Sequence, residues 1–145
     1  HSVGELIARQ DSDDISDPER LEKQYKFLIK ESLDACTTRA FIKNSKRARP
    51  FVAHLLPNNI VLKYKNPFIH GTLLIKTQVL KSLGLYNEEY KYAQDYKLYL
   101  DLKQNNFRIK IMNKKLYTLN TKNNISTKNK TEQEYFFKLA KKSWK

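Results

Sequence analysis

The chain has 145 residues, 40% hydrophobic and 12% aromatic, with 28 Lys and Arg against 15 Asp and Glu and a formal net charge of +13. That length and apolar content suit one domain with one core and exclude a disordered composition; three Gly and four Pro exclude a fibrous repeat. A single cysteine excludes a disulfide framework, and no apolar run is long enough for a transmembrane helix.

In chain order, "ELIAR" (5–9) reads as a short buried strand, entered at once with no initiator Met before it. The start "HSVGEL" also lacks the basic flank and long apolar core of a signal peptide. Directly after the strand, Asp11, Asp13 and Asp14 fall within four residues. Carboxylates this close repel one another, so the cluster calls for a positive partner. A helix follows: Ser16 can cap it, Pro18 suits its first turn, and Glu19 stands three residues after Ser16, the capping-box spacing. Its apolar face is expected along Leu21, Tyr25, Leu28, Ser32 and Leu33. "ACTTRAFI" (35–42) is a strand by its β-branched and aromatic content, which makes Cys36 a buried structural thiol rather than a nucleophile.

"KNSKRARP" (43–50) is a basic loop, 51–63 a short helix, and Asn66-Pro67 a turn. "FIHGTLLIK" (68–76) looks like a strand and "TQVLKSLG" (77–84) a short helix ended by Gly84. "AQDYKLYLDLKQNN" (93–106) is a helix with Ala93, Tyr96 and Leu100 inward. "FRIKIMNKKLYTL" (107–119) alternates Phe107, Ile109 and Ile111 against Arg108 and Lys110, as a half-buried strand does. From Thr131 to Trp144 a last helix gathers Phe136, Phe137, Ala140 and Trp144 on one side. The sequons at Asn124 and Asn129 carry no meaning without secretion.

This order of strands and helices is an α/β layout, with the acidic cluster at a strand's carboxyl end, the edge where open α/β sheets bind ligands. The charge is also uneven. Residues 1–22 hold seven acids and two bases, and the rest holds eight acids and 26 bases. A basic body attracts phosphate-bearing partners such as nucleotides, anionic lipid or nucleic acid, although lysine used simply as a solvated residue gives the same count.

Two constellations can carry chemistry. An Asp-x-Asp pair on a turn after a strand offers oxygen ligands to Mg²⁺ or Mn²⁺ and leaves positions for phosphate oxygens; an Asp-rich turn at a helix N-terminus is the bland alternative. Asp95 opens a helix, where an Asp is ordinarily a cap; it can equally take a proton from an acceptor hydroxyl in a glycosyl transfer. Spacing alone does not separate these readings.

The blocks "IARQDSDDISDPERLEKQYKFL" and "NPFIHGTLLIKTQVLKSLGLYNEEYKYAQDYKLYLDL" resemble the second half of a family 2 glycosyltransferase with the GT-A fold. Such bacterial enzymes show an A-x-x-D-x-D-D-x-S-x-P-x-R-L-x-x-Q block, then a His-containing strand, G-x-Y, and D-x-x-L on a helix. The resemblance covers roughly residues 3–118, leaving 119–145 as a basic tail. It implies a partial, Rossmann-like GT-A domain lacking the N-terminal nucleotide-binding strands, about 90 residues by the size of three strand–helix units. It further implies a metal-dependent, inverting transfer from a nucleotide-sugar, a UDP-sugar by preference, to a glycan or lipid-linked acceptor in lipopolysaccharide, capsule or related synthesis. Carried over, Asp13 is the direct metal ligand, Asp11 lies nearer the ribose or the metal's waters, and both hold the donor. Asp95 is the general base; His70 and Gln94 lie near the acceptor.

Gln94 stands where relatives often carry Glu, so altered acceptor contacts are expected. The segment "LYTLNTKNNIS" offers neither the Arg nor the His that relatives often place there, which puts a histidine metal ligand in doubt. The resemblance also implies a cytoplasmic place, peripheral at the inner face of the plasma membrane, where the basic body would touch anionic lipid or lipid-linked phosphate. The aromatic face of the tail helix is expected either on the absent half or on an anionic membrane surface. Self-association through an exposed sheet edge is expected of the isolated chain. Two further readings stand beside the transferase: a nucleic-acid-binding module, for which no motif is present, and a non-catalytic scaffold of the same fold.

Overall fold

The computed structural model describes residues 2–45, 47–121 and 129–144. Strands β1 (Leu6–Ala8), β2 (Ile15–Ser16), β3 (Ala35–Ile42), β4 (Ala48–Arg49), β5 (Leu74–Lys76) and β6 (Ile109–Leu119) form one mixed sheet. Its order is β1-β5-β3-β6-β2, with β4 paired to β3. The spine is β3 against β6, which run parallel from Ala35↔Ile109 to Ile42↔Leu119 with two register shifts; the remaining pairings are antiparallel. A parallel pair needs a long crossover, and here it contains α2 (Asn58–Leu62), β5, α3 (Thr77–Ser82) and α4 (Gln94–Gln104).

Alternation along each strand assigns its residues to two faces. On β3, Ala35 joins one apolar cluster and Cys36 the other; on β5, Ile75 and Leu74 divide the same way. The larger cluster holds Val79 and Leu80 of α3, Tyr96, Leu100 and Leu102 of α4, and Ala140 of α5 (Lys130–Ser143). The smaller lies under α1 (Arg20–Lys30), which contributes Leu28 and Phe27. Helices therefore cover both faces, as they must when the central strands are buried on both sides. Buried Cys36 has its thiol pushed up to about 12 by desolvation, so it is a structural, unreactive group.

Several sequence expectations are corrected. Ser16 does not cap a helix: it lies in β2, α1 begins at Arg20, and the preceding Glu19 makes no side-chain cap. Instead the Ser16 hydroxyl accepts a hydrogen bond from Arg20 Nε at 2.5 Å. The inward stripe of α1 is Arg20, Gln24 and Leu28, while Leu21, Tyr25 and Ile29 are about half exposed. The basic loop contains β4, which folds back on Phe41 and Ala40. In 68–76 only Leu74–Lys76 is strand; His70–Thr72 form a 3₁₀ turn, so His70 sits on a turn and not on a strand. The tail helix α5 lays its aromatic face on this chain itself, with Phe137 stacked on Tyr96 at 4.0 Å and Phe136 tilted against Tyr90 at 6.0 Å. Tyr90 and α4 thus cover part of that face, and Phe136, Phe137 and Trp144 remain partly buried. Asn124 lies outside the described residues.

Candidate active site

The acidic turn leaves the end of β1 and is held from three sides. Arg9 N–H donates to the Leu73 carbonyl at 2.8 Å, tying the turn to the residue before β5. Asp11 N–H donates to Tyr117 Oη of β6 at 3.1 Å, and the backbone N–H of Asn120 donates to Asp14 Oδ1 at 2.7 Å. Beneath the turn lies Arg20, 3% exposed. Its guanidinium donates to the carbonyls of Arg9 (3.1 Å) and Gly71 (3.4 Å), to Gln10 Oε1 and Gln24 Oε1 (3.4 Å each), and to Ser16, and it stands 5.3 Å from the Tyr117 ring centroid. Gln24 extends the brace by donating to the Thr72 carbonyl at 2.8 Å. The buried Arg20 orders the backbone beneath the crowded carboxylates, and their direct positive partner is Arg9, whose Nη2 pairs with Asp11 Oδ1 at 3.2 Å.

The three carboxylates differ in their surroundings. Asp14 is anchored; burial pushes its carboxyl above the usual range, and its hydrogen bonds from Asn120 and Tyr117 oppose this. Asp11 is half-buried, with Oδ2 against Gly71: a Cβ built on that glycine would stand 2.8 Å from Asp11 Oδ2 and 2.6 Å from Tyr117 Oη. Glycine is required there by close approach. Asp13 is exposed and has no hydrogen-bond or ion-pair partner among the described residues. Among those residues, no three His, Cys, Asp or Glu side chains form a group that could hold a metal ion. The donor chemistry that remains, a free carboxylate at Asp13 with half-buried Asp11 beside it, is all oxygen and suits a hard cation that keeps other positions for a phosphate and water.

Asp95 lies in the first turn of α4, behind Ala93, which takes a left-handed conformation at φ 57°. Its Oδ2 accepts a hydrogen bond from Asn66 Nδ2 at 2.8 Å, and Asn66 Oδ1 in turn accepts from Phe68 N–H at 3.0 Å. Asp95 is therefore no helix cap; a side chain from the Asn66-Pro67 turn orients it. Gln94 beside it is half-buried, and its amide has no hydrogen-bond partner among the described residues. His70 Nε2 meets Tyr86 Oη at 2.8 Å, with the two rings edge to face. Burial holds His70 below its ordinary range, with the charges of Asp95 and Asp11 opposing and Arg9 reinforcing. Tyr86 and Tyr99 are raised, chiefly by burial, and they also feel Asp95, Asp11 and Arg9. The Tyr99 hydroxyl, one turn after Asp95, is buried without a hydrogen-bond partner among the described residues.

Asp11 and Asp95 thus both bear electrostatically on His70, Gln94 stands beside Asp95 at the start of α4, and Asp13 is exposed on the turn. Sequence reasoning gave no role to Arg9, Asn66, Gly71 or Tyr117, and it marked Arg20, Gln24 and Tyr86 only as positions of the R-L-x-x-Q and G-x-Y motifs. The available signals were the Arg20/Gln24/Leu28 stripe at spacings of four and the Asn-Pro turn that presents Asn66.

No family model matches the chain. It is 37% identical to the O-antigen biosynthesis glycosyltransferase WbnJ of Escherichia coli, over 66% of this chain and 38% of that one. To the putative glycosyltransferase EpsE of Bacillus subtilis it is 31% identical, over 74% of this chain and 40% of that one. The uncharacterized glycosyltransferase MJ1057 of Methanocaldococcus jannaschii is 26% identical over 98% of this chain and 51% of its own length. Among solved structures, S. aureus TarS 1-349 in complex with UDP-GlcNAc superposes with a TM-score of 0.71 at 20% identity, over 96% of this chain and 42% of that one. The fold is accordingly α/β and matches part of a Rossmann-like glycosyltransferase fold, and the homologues are glycosyltransferases. The chain spans about half or less of the length of these curated relatives.

Proposed function

We propose that the chain supplies the acidic turn and the acceptor-side base of a family 2, GT-A glycosyltransferase in cell-surface polysaccharide synthesis. The observation that carries the reading is that Asn66 donates to Asp95 Oδ2 at 2.8 Å, so this carboxylate is oriented by a side chain and not spent on capping α4, while its charge and that of Asp11 both bear on His70. A nucleotide-sugar donor is supported by the TarS structures in complex with UDP-GlcNAc and with UDP. The polysaccharide role is supported by homologues named for O-antigen and amylovoran biosynthesis.

In this reading Asp13 and Asp11 hold Mg²⁺ or Mn²⁺, which when bound offsets the charge of the donor's diphosphate. Asp95, kept in place by Asn66, accepts the proton of the acceptor hydroxyl. The acceptor oxygen bonds to the anomeric carbon as the bond from that carbon to the phosphate oxygen breaks, and the nucleoside diphosphate leaves with its electron pair. Attack from the face opposite the departing group inverts the configuration. Arg9 balances Asp11, and the Gln94 amide and His70 face the acceptor. The basic body favours a cytoplasmic place at the inner face of the plasma membrane, near a lipid-linked acceptor.

Calorimetry of Mn²⁺ with UDP on the complete protein tests the turn. Coupled binding is expected, and Asp13→Ala should abolish it; equal binding in that variant refutes the metal role. Asp95→Asn should bind donor normally and lose transfer by a factor on the order of 10² to 10⁴, the usual worth of a positioned base.

A further inference from the structure

Two cavities open along β4 and the segment after it, neither lined by Arg9 or Asp11. One, of about 430 Å³, is walled by Arg49, Phe51, Lys65, Asn66 and Phe68. The other, of about 590 Å³, is walled by Arg39, Arg47, Arg49, Phe51 and Lys115. They adjoin at Arg49 and Phe51, which line both, and together they make a grooved face along β4 and the segment after it. Among the described residues no carboxylate lines either cavity. Its cations are not neutralised by ion pairs: Arg39 is spent on neutral acceptors, the Pro50 carbonyl and Asn113 Oδ1, and Lys115 stands over the Phe41 ring at 4.9 Å. Arg47, Arg49 and Lys65 are exposed and have no side-chain partner among the described residues. Such a one-signed concavity concentrates anions, and arginine forks match phosphate oxygens. Each volume lies in the range of small-ligand sites.

The groove also has a fixed relation to the candidate base. Asn66 forms part of its wall and donates to Asp95 Oδ2 at 2.8 Å. We propose that this groove is an anion site that takes a phosphate or diphosphate group of the acceptor, between Arg49 and Lys65, with Phe51 against the apolar part of the same molecule. This rests on the transferase reading for the word acceptor, but the anion site stands on the groove itself.

The test has a binding arm and a kinetic arm, both on the complete protein. With EDTA present to silence any cation-dependent donor site, inorganic pyrophosphate is titrated into wild type and Arg49→Gln/Lys65→Gln. At least about tenfold weaker binding is expected in the variant, with a steep salt dependence in wild type. A control that removes two cations elsewhere, Lys30→Gln/Lys81→Gln, should bind as wild type does. No binding by wild type, or equal binding in the groove variant, overturns the anion site. Farnesyl diphosphate separates the sources. Binding about tenfold tighter than pyrophosphate, lost in Phe51→Ala, identifies a lipid-linked diphosphate; equal binding identifies the phosphate of a soluble glycan. In the kinetic arm the groove variant should raise the acceptor KM about tenfold with donor KM and kcat unchanged. An unmoved acceptor KM overturns the acceptor assignment. Absence of transfer in wild type, with pyrophosphate still bound through Arg49 and Lys65, sinks the transferase reading and upholds the anion site.

Discussion

At Gly71 a single hydrogen atom separates a working turn from a clash. A methyl group there meets Tyr117 Oη at 2.6 Å and Asp11 Oδ2 at 2.8 Å, and Tyr117, 2% exposed, cannot swing away. Gly71→Ala should therefore displace Asp11, cost about 1–3 kcal/mol, the usual range for overpacking, and weaken Mn²⁺–UDP binding. Tyr117→Phe removes the nearer oxygen, so the double variant should regain part of the lost stability in thermal melts; strictly additive losses would reject the clash. His70 gives a second residue-level prediction, through pH. Its folded value is depressed, by burial first, while the unfolded side chain titrates near its ordinary value of about 6.5. Below that value the unfolded chain binds a proton that the fold resists, so the contribution is complete above about pH 6.5 and is lost as pH falls toward the depressed value. Melting temperatures at about pH 7.5 and pH 5.5 should show a smaller drop in His70→Gln than in wild type. His54, also held low by burial, leaves a residual slope in both proteins. An unchanged slope in the variant would remove His70 from the account.

Helix α1 shows how element-scale packing departs from a hydrophobic pattern. Leu21, Tyr25 and Leu28 define a stripe in the sequence, but the helix turns so that Arg20 and Gln24 go inward with Leu28. Periodicity assigns polar residues outward, so it cannot see a buried cation whose donors meet two backbone carbonyls and three side-chain oxygens. Arg20→Lys keeps the charge but loses the fork. Because a lysine cannot reach the Arg9 and Gly71 carbonyls together, the variant should lose about 1–3 kcal/mol, the cost of a buried acceptor left unmet. Chemical denaturation measures this, and stability equal to wild type would show that water replaces the guanidinium. Elements fixed by local chemistry were legible: β3 by its β-branched run, α4 and α5 by their period, α3 by Gly84 at φ 80°. Elements fixed by distant partners were not. The two-residue strands β2 and β4 exist only because β6 and β3 pair with them, and His70 sits on a turn because Thr72 Oγ1 bonds the Ile69 carbonyl at 2.8 Å. In the site, the acidic turn and Asp95 were readable as carboxylates at element ends. Their supports, Asn66 above all, were not, because 29 residues separate that amide from the acid it holds.

At the scale of the whole molecule, the sheet ends on β1, whose outer edge pairs with no described strand. Beside it Leu21 is 49%, Tyr25 51% and Ile29 58% exposed, and a cavity of about 290 Å³ opens between Leu6, Tyr25, Ile29 and Gln78. An unpaired strand flanked by an apolar helix face is a template for another strand and another apolar surface. The 145-residue chain on its own should therefore associate with itself as concentration rises, burying the α1 face with the β1 edge. Sedimentation across a hundredfold concentration range reads this directly. Leu21→Glu/Ile29→Lys introduces two charges on exposed positions without touching the inward Arg20, Gln24 and Leu28, so it should leave the melting temperature within a few degrees and shift the chain toward monomer. A variant that still associates places the contact elsewhere. A wild-type chain that stays monomeric throughout the range shows that two short features, a three-residue edge and three half-exposed side chains, are too small to hold a second copy.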